Sequence, residues 1–279
     1  MKRKTRPYGD TILITGASSG IGRSCSLRFA RAGYVVYAVS RHCEEGVELV
    51  GDGRIISMRM DVNDSDSVAA VIAGIPDLGI VLHCAGFGIS GPAEDTPLDL
   101  VRSQFETNYF GILRVNAFAL PLLRRRGRSL VMAIGSIAGR VPIPFQSQYS
   151  STKYAVSAYF GALRIEAGPF GVRTVVIEPG DTRTGFTDHR SSYEPTGSPY
   201  AEACRRAVGQ MERDERSGKD PDTVAQVALR MASRKNPPPK VVVGFGYRVL
   251  VFLARVLPDR VVLRLLGLIY HVGGRPHVS

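Results

Sequence analysis

The amino-acid sequence predicts a three-layer α/β fold, doubly wound around a mostly parallel seven-stranded sheet, with a helical extension at the C-terminus. Three observations predict it. Six nearly all-apolar runs of β character alternate with helical stretches, and a seventh, KVVVG, closes the series at residues 240–244. Runs that apolar are buried on both faces, as parallel strands covered by helices are. A glycine-rich turn separates the first run from its helix, and the chemically interesting residues fall at or just past the ends of runs. Open α/β sheets bind ligands there.

Residues 11–15 (TILIT) form the first run, and GASSGIG follows at 16–22 before a helical pattern reaching about residue 32. Its glycines are Gly16, Gly20 and Gly22, with Ser18, Ser19 and Ile21 in the same turn. Glycine admits positive φ and lets a pyrophosphate approach the backbone. The helix start offers free N–H groups and a positive dipole end. A plain glycine-rich turn is the alternative. The second run, YVVYAVS, ends at Ser40, Arg41 and His42. An acidic residue here would bind the ribose 2′-hydroxyl of NAD. None is present, and Arg41, with Arg23 nearby, suits a 2′-phosphate through charge-assisted hydrogen bonds. That argues for NADP(H), against the alternative of a surface arginine.

The third run, RIISMRMDV, ends at Asp61 and Val62, and a helix follows at 63–75. The Asp61 carboxylate could accept from an adenine amino group or cap that helix. The fourth run, GIVLHCAG, ends in Ala85 and Gly86, where a backbone poor in side chains would pass beside the cofactor. A helical stretch over 97–126 carries Asn108, a poor helix former in mid-helix. The next run, RSLVMAIGS, delivers Ser136, and a helix over 148–167 carries Tyr149 and Lys153. Four residues apart, these two share a helix face. A phenol titrates near pH ~10. A neighbouring ammonium lowers that value by stabilising the phenolate, and a serine hydroxyl can hold a substrate oxygen. The sixth run, RTVVIEPG, ends in Pro179 and Gly180, with Thr182 and Thr184 just beyond.

Taken together, these motifs resemble the short-chain dehydrogenase/reductase family in its compact, single-domain form, over about residues 10–244. The resemblance rests on TGASSGIG at 15–22, DV at 61–62, an altered NNAG motif at 83–86, Asn108, Ser136, YSSTK at 149–153 and PGDTRT at 179–184. It implies a Rossmann fold and hydride transfer between nicotinamide and a substrate carbon. Tyr149 would be the general acid in carbonyl reduction and the base in the reverse. Lys153 would lower its pKa and bind the nicotinamide ribose. Ser136 would orient the substrate oxygen, and Asn108 would hold a relay water. Thr182 and Thr184 match positions contacting the nicotinamide carboxamide and the diphosphate, and Arg41 the 2′-phosphate position of NADP-preferring members. His83-Cys84-Ala85-Gly86 departs from Asn-Asn-Ala-Gly and puts the family's central-sheet brace in doubt. His83 is expected near the core and Cys84 as a structural thiol. A non-catalytic NADP-binding sensor on the same fold is the rival reading, but it would be expected to lack one of Asn108, Ser136, Tyr149 and Lys153.

The 279 residues divide into a catalytic domain at 1–246 and an apolar extension at 247–279. Net charge is +11, carried mainly by arginine. An anionic cofactor or membrane surface fits that charge. No zinc spacing or nucleic-acid signature is present, so neither metal nor nucleic acid is expected. Four scattered cysteines indicate reduced thiols and a cytoplasmic setting. The family's substrate loop falls at about 185–219, with aromatics at Phe186, Tyr193 and Tyr200. With Phe87 and Phe145 these suggest an apolar pocket for a steroid-, retinoid- or lipid-like alcohol/carbonyl pair. Residues 247–272 form two apolar helical segments split at Pro258, with Arg248, Arg255, Arg260 and Arg264 interspersed. They read as tail helices packed on a homodimer or homotetramer, as a lid, or as an amphipathic hairpin on a membrane surface.

Overall fold

A computed structural model describes residues 6–187, 190–193 and 197–272. The first strand, β1 (Thr11–Thr15), is followed by α1 (Gly20–Arg31), β2 (Val35–Ser40), β3 (Gly46–Val50) and β4 (Gly53–Arg59). Next come α2 (Ser65–Ala73), β5 (Ile80–His83), a two-residue strand β6 (Ile89–Ser90) and α3 (Leu98–Phe105). A π turn over Glu106–Phe110 joins α3 to α4 (Gly111–Arg126). Then follow β7 (Ser129–Ile134), α5 (Ser147–Ala167), β8 (Val172–Pro179) and the short β9 (Ser191–Ser192). The chain ends with α6 (Ala201–Arg216), α7 (Pro221–Ala232), β10 (Lys240–Val243), α8 (Phe245–Val256) and α9 (Asp259–Ile269).

The main sheet runs β10-β8-β7-β5-β1-β2-β4-β3, parallel except for β3. Alternate side chains of β1 serve the two faces, as period-two strands require. Ile12 and Ile14 pack with Phe29 of α1 and Ala225 and Ala228 of α7. Leu13 packs on the other side with Ile72 of α2, Val115 of α4 and Phe160 of α5. Each fully buried side chain of this kind contributes about 1.5–3 kcal/mol. The order reverses at β1, whose neighbours are β2 and β5. The crevice at their C-terminal ends is therefore the switch point at which such sheets bind ligands.

The doubly wound α/β fold expected from the sequence is present, with one strand more than seven. The extra strand is β3, which pairs antiparallel with β4 through a two-residue turn at Gly51 and Asp52. Gly51 has φ +60°, a conformation such tight hairpins demand. As an edge strand it leaves Val47 and Leu49 65% and 82% exposed, so it lacks the continuous apolar character of the others. The segment 185–219 also differs from the glycine-, serine- and proline-rich loop expected there, because α6 occupies nearly half of it. Cys204, Ala207, Val208 and Met211 form the buried stripe of that helix. Residues 188–189 and 194–196 of that segment lie outside the described residues.

Candidate active site

Backbone geometry builds the glycine turn. Gly16 has φ +63°, and a Cβ there would stand 2.6 Å from the Ala85 nitrogen, so the turn can cross the end of β5 only as glycine. The Thr15 hydroxyl ties the same crossing together, accepting from the Cys84 and Ala85 N–H groups at 3.2 Å each. Gly20 has φ +51°, and its missing Cβ faces Thr184 beyond β8. The turn, the segment after β5 and the segment after β8 thus converge on one crevice.

Three features fit an anionic dinucleotide in that crevice. Ser19 stands at the N-cap of α1 without a side-chain cap, and no acidic residue occupies the first turn. The first-turn N–H groups therefore face the crevice with the positive end of the helix dipole. Ser18 and Ser19 are exposed, while Ile21 packs on the core and Gly22 is buried. At the end of β2 the Ser40 hydroxyl is buried with no hydrogen-bond partner, and the exposed Arg41 follows it. Arg23 is engaged elsewhere, 2.9 Å from Glu48 of β3. Asp61 accepts from the Asn63 N–H at 3.0 Å, and Val62 is buried against Gly111. Asp64, rather than Asp61, caps α2.

The Asn108 side chain lies in the π turn and is buried. Its Oδ1 accepts from the Phe87 N–H at 3.0 Å, and its Nδ2 donates to the Phe87 carbonyl at 2.9 Å and to Thr152 Oγ1 at 3.3 Å. It therefore clamps the Gly86–Phe87 segment to α5. The relay water implied by the resemblance would have to share an amide already bonded at both ends. Single-turn π-helices recur at functional sites, and this one aims a polar side chain inward from an otherwise continuous helix.

Ser136, just past β7, accepts from the Ala138 N–H at 3.0 Å and is hydrogen-bonded to the Tyr149 hydroxyl. Burial of that hydroxyl pushes the Tyr149 phenol up to about 12, against the lowering effect of Ser136. Lys153 Nζ donates to the Ile134 carbonyl at 3.0 Å and lies 5.5 Å from the centre of the Tyr149 ring. Burial drives Lys153 down to about 8. The expectation that the ammonium depresses the phenol is thus outweighed by desolvation, because the ammonium is turned to a strand carbonyl. What the arrangement presents at neutral pH is a protonated phenol beside a serine hydroxyl.

Beyond β8, Pro179 ends the strand, and Gly180 lies under the ring of Tyr247, whose hydroxyl donates to Asp181. Thr182 donates to the Gly180 carbonyl at 3.0 Å, and Thr184 accepts from the Phe186 N–H at 3.2 Å. Phe186 brings its ring to 5.6 Å from that of Tyr149. The aromatics expected to share one pocket divide: Phe145 and Tyr200 line an outer groove of about 410 Å³ with Pro92 and Val272. A second apolar groove of about 580 Å³ lies between α9 and α5, lined by Ser147, Ser150, Ser151 and Tyr154. At helical spacing these occupy the face of α5 opposite Tyr149 and Lys153, so this groove does not belong to the proton-transfer site.

His83 is buried, its Nε2 3.0 Å from Asn116 Oδ1, and burial pushes it down to about 4. Cys84 lies against Cys25, and burial raises its thiol. With Thr15, the His83–Asn116 pair supplies a brace to the sheet in place of the altered motif. Sequence reasoning missed Thr15, Thr152 and Tyr247. Only Thr15 carried a signal, as a hydroxyl at a strand end next to the glycine turn. No cluster that could hold a metal ion occurs among the described residues.

Residues 10–195 match the short chain dehydrogenase family. The chain belongs to that family. It is an oxidoreductase, and its relatives are named as reductases and dehydrogenases. A 3-ketodihydrosphingosine reductase of Bacteroides thetaiotaomicron is 34% identical over 268 residues, covering 94% of this chain and 98% of the relative. Dehydrogenase/reductase SDR family member 7B of Danio rerio is 28% identical over 92% of this chain and 85% of its own. Among solved structures, a short-chain dehydrogenase from Streptomyces avermitilis superimposes with a TM-score of 0.77 at 27% identity, covering 92% of this chain and 94% of that one.

Proposed function

We propose that this oxidoreductase reduces the carbonyl of a hydrophobic, lipid-like substrate to a secondary alcohol with NADPH. The observation that carries the reading is the Ser136–Tyr149 hydroxyl pair, with the phenol held protonated by burial and Lys153 beside it. A phenol near 12 is a donor at neutral pH, and donation to a developing alkoxide is what carbonyl reduction requires. When bound, the nicotinamide supplies the hydride. Ser136 orients the carbonyl oxygen, Tyr149 delivers the proton to it, and Lys153, mostly cationic below pH 8, stabilises the phenolate left behind. Gly16, Ser18, Ser19, Gly20, Ile21 and Gly22 hold the pyrophosphate. Asp61, Val62, Ala85 and Gly86 border the adenosine, and Pro179, Gly180, Thr182 and Thr184 border the nicotinamide side. The preference for NADPH is supported by Arg41 beside the partnerless Ser40 hydroxyl at a strand end without a carboxylate.

The lipid-like substrate is supported by the reductase relative named for 3-ketodihydrosphingosine. It is also supported by α8 and α9, which we read as an extension of the catalytic domain resting on a membrane surface. Among the described residues no helix is long and apolar enough to cross a membrane. Yet α8 has no buried residue, and Phe245, Phe252, Leu263 and Leu268 stand 55–78% exposed. Arg248, Arg255, Arg260 and Arg264 are exposed alongside them, suited to anionic headgroups. The enzyme then works at the cytoplasmic side of a membrane, as a homodimer or homotetramer joined through α4 and α5, where Phe118 and Ile165 are exposed.

The test is nicotinamide fluorescence during reduction of a panel of ketones, with NADPH and NADH side by side. Long-chain ketones are expected to turn over with NADPH, and Arg41→Ala to raise KM for NADPH about tenfold or more while sparing NADH. Turnover confined to small polar polyols, or an Arg41→Ala variant with unchanged cofactor preference, overturns the reading.

A further inference from the structure

The mouth of the catalytic cleft holds a buried ion pair that proton transfer does not use. Arg190 donates through Nη2 to one oxygen of Glu215, and Thr187 donates to the other at 2.6 Å. The Arg190 side chain is 1% exposed, yet its Nε and Nη1 have no hydrogen-bond partner. Buried polar groups are almost always paired, so free donors on an enclosed cation mark a place kept for something else. The place is the cleft itself. The guanidinium carbon lies 5.8 Å from the centre of the Phe186 ring, which in turn lies 5.6 Å from that of Tyr149. Gly88 forms the adjoining wall, where a Cβ would stand 2.7 Å from the Phe186 ring and 3.7 Å from Arg190 Cγ.

We propose that Arg190 anchors the substrate, its free Nε–H and Nη1–H groups holding an uncharged hydroxyl close to the carbonyl that Tyr149 protonates. This rests on the reductase reading above and adds the substrate class, a hydroxyketone. Charge makes the selection. Glu215 already matches the guanidinium, and Asp181 and Asp214 act on the same corner, where their charges reach Tyr270 together with that of Glu215. An entering carboxylate would meet three acids and one cation already paired. A hydroxyl accepts the free N–H bonds without adding charge. Pairing with Glu215 also holds the guanidinium in place, so the substrate need not order a long flexible side chain.

The experiment uses the full chain with NADPH and three substrates of equal chain length: a plain ketone, the ketone with a hydroxyl on the β carbon, and the β-keto acid. The hydroxyketone is expected to exceed the plain ketone in kcat/KM by about 10- to 100-fold, as one hydrogen bond to a charged group allows. Arg190→Met should bring that ratio close to one while the plain ketone keeps its rate. Because both rates come from one preparation, partial misfolding leaves the ratio untouched. The double variant Arg190→Met with Glu215→Gln removes the carboxylate otherwise left buried and unpaired, and should show the same ratio. Cofactor titration by nicotinamide fluorescence checks that each variant retains its dinucleotide site. A wild-type enzyme without the preference, a preference that survives both variants, or a preference for the keto acid overturns the proposal. Reduction of none of the three overturns the reductase reading itself, and the anchor with it.

Discussion

The two sides of the catalytic crevice are made of different material. On the β1 side main chain does the positioning: a left-handed glycine, uncapped helix N–H groups and a threonine hydroxyl tying two strand ends together. On the β8 side side chains do it: Phe186 against Tyr149, Arg190 on Glu215, Tyr247 over Gly180. A wall of backbone has little freedom to change, because a single methyl group at Gly16 collides with another main chain. A wall of side chains can be refitted without moving the sheet. The first arrangement suits a ligand common to many enzymes, the second a substrate peculiar to one.

That contrast can be broken first at the proton donor between the two walls. Tyr149→Phe should lower kcat by about 10²- to 10⁴-fold, the range of a general acid, while cofactor affinity by nicotinamide fluorescence stays unchanged. A matching loss of cofactor binding would mean that the phenol belongs to the backbone wall.

Lys153 comes next, because its burial sets function against stability. Its pKa falls from 10.5 to about 8 on folding, so between those values the unfolded chain binds more protons and stability rises with pH. Below pH 8 the buried ammonium costs on the order of 3 kcal/mol. Lys153→Met should therefore lose turnover yet melt higher than wild type at pH 7, with the gap closing towards pH 10.5 in thermal melts. A variant that melts lower at every pH would show the Ile134 contact to be worth more than the desolvation.

Gly16→Ala tests the backbone wall directly. The positive φ and the approach to Ala85 should together cost about 1–3 kcal/mol, seen as a lower melting temperature and weaker dinucleotide binding. Phe186→Leu, on the other wall, should leave dinucleotide binding alone and shift only the KM for substrate. The smallest effect belongs to the outer surface. Replacing Phe252, Leu263 and Leu268 with serine should change stability by no more than about 0.5 kcal/mol per site and leave turnover of a soluble ketone intact. The same variant should lose flotation with phosphatidylglycerol vesicles. Point substitutions are preferred to deleting 247–279, because Tyr247 supports Gly180 and Asp181 beside the cleft.

The backbone wall was also the legible one. Apolar strands buried on both faces announce themselves, and a glycine turn between strand and helix is a local pattern. The side-chain wall was not, because Arg190 and Glu215 lie 25 residues apart and only α6 brings them together. Even α6 had a readable stripe at Cys204, Ala207, Val208 and Met211, lost among the glycines and prolines on either side. The edge strand β3 escaped for a different reason. Exposed on its outer side, it has no need of the apolar run that marks a central strand, and its short Val47-Glu48-Leu49 alternation resembles a loop.

That edge has a bearing on how the protein behaves when crowded. Unpaired strand margins invite a second copy to add itself, the first step of fibrous growth. Two β3 strands meeting antiparallel in full register would pair about their middle residue, Glu48, and set one carboxylate against its twin. In a chain otherwise rich in positive charge, the margin most open to self-templating thus carries the charge that repels its own image.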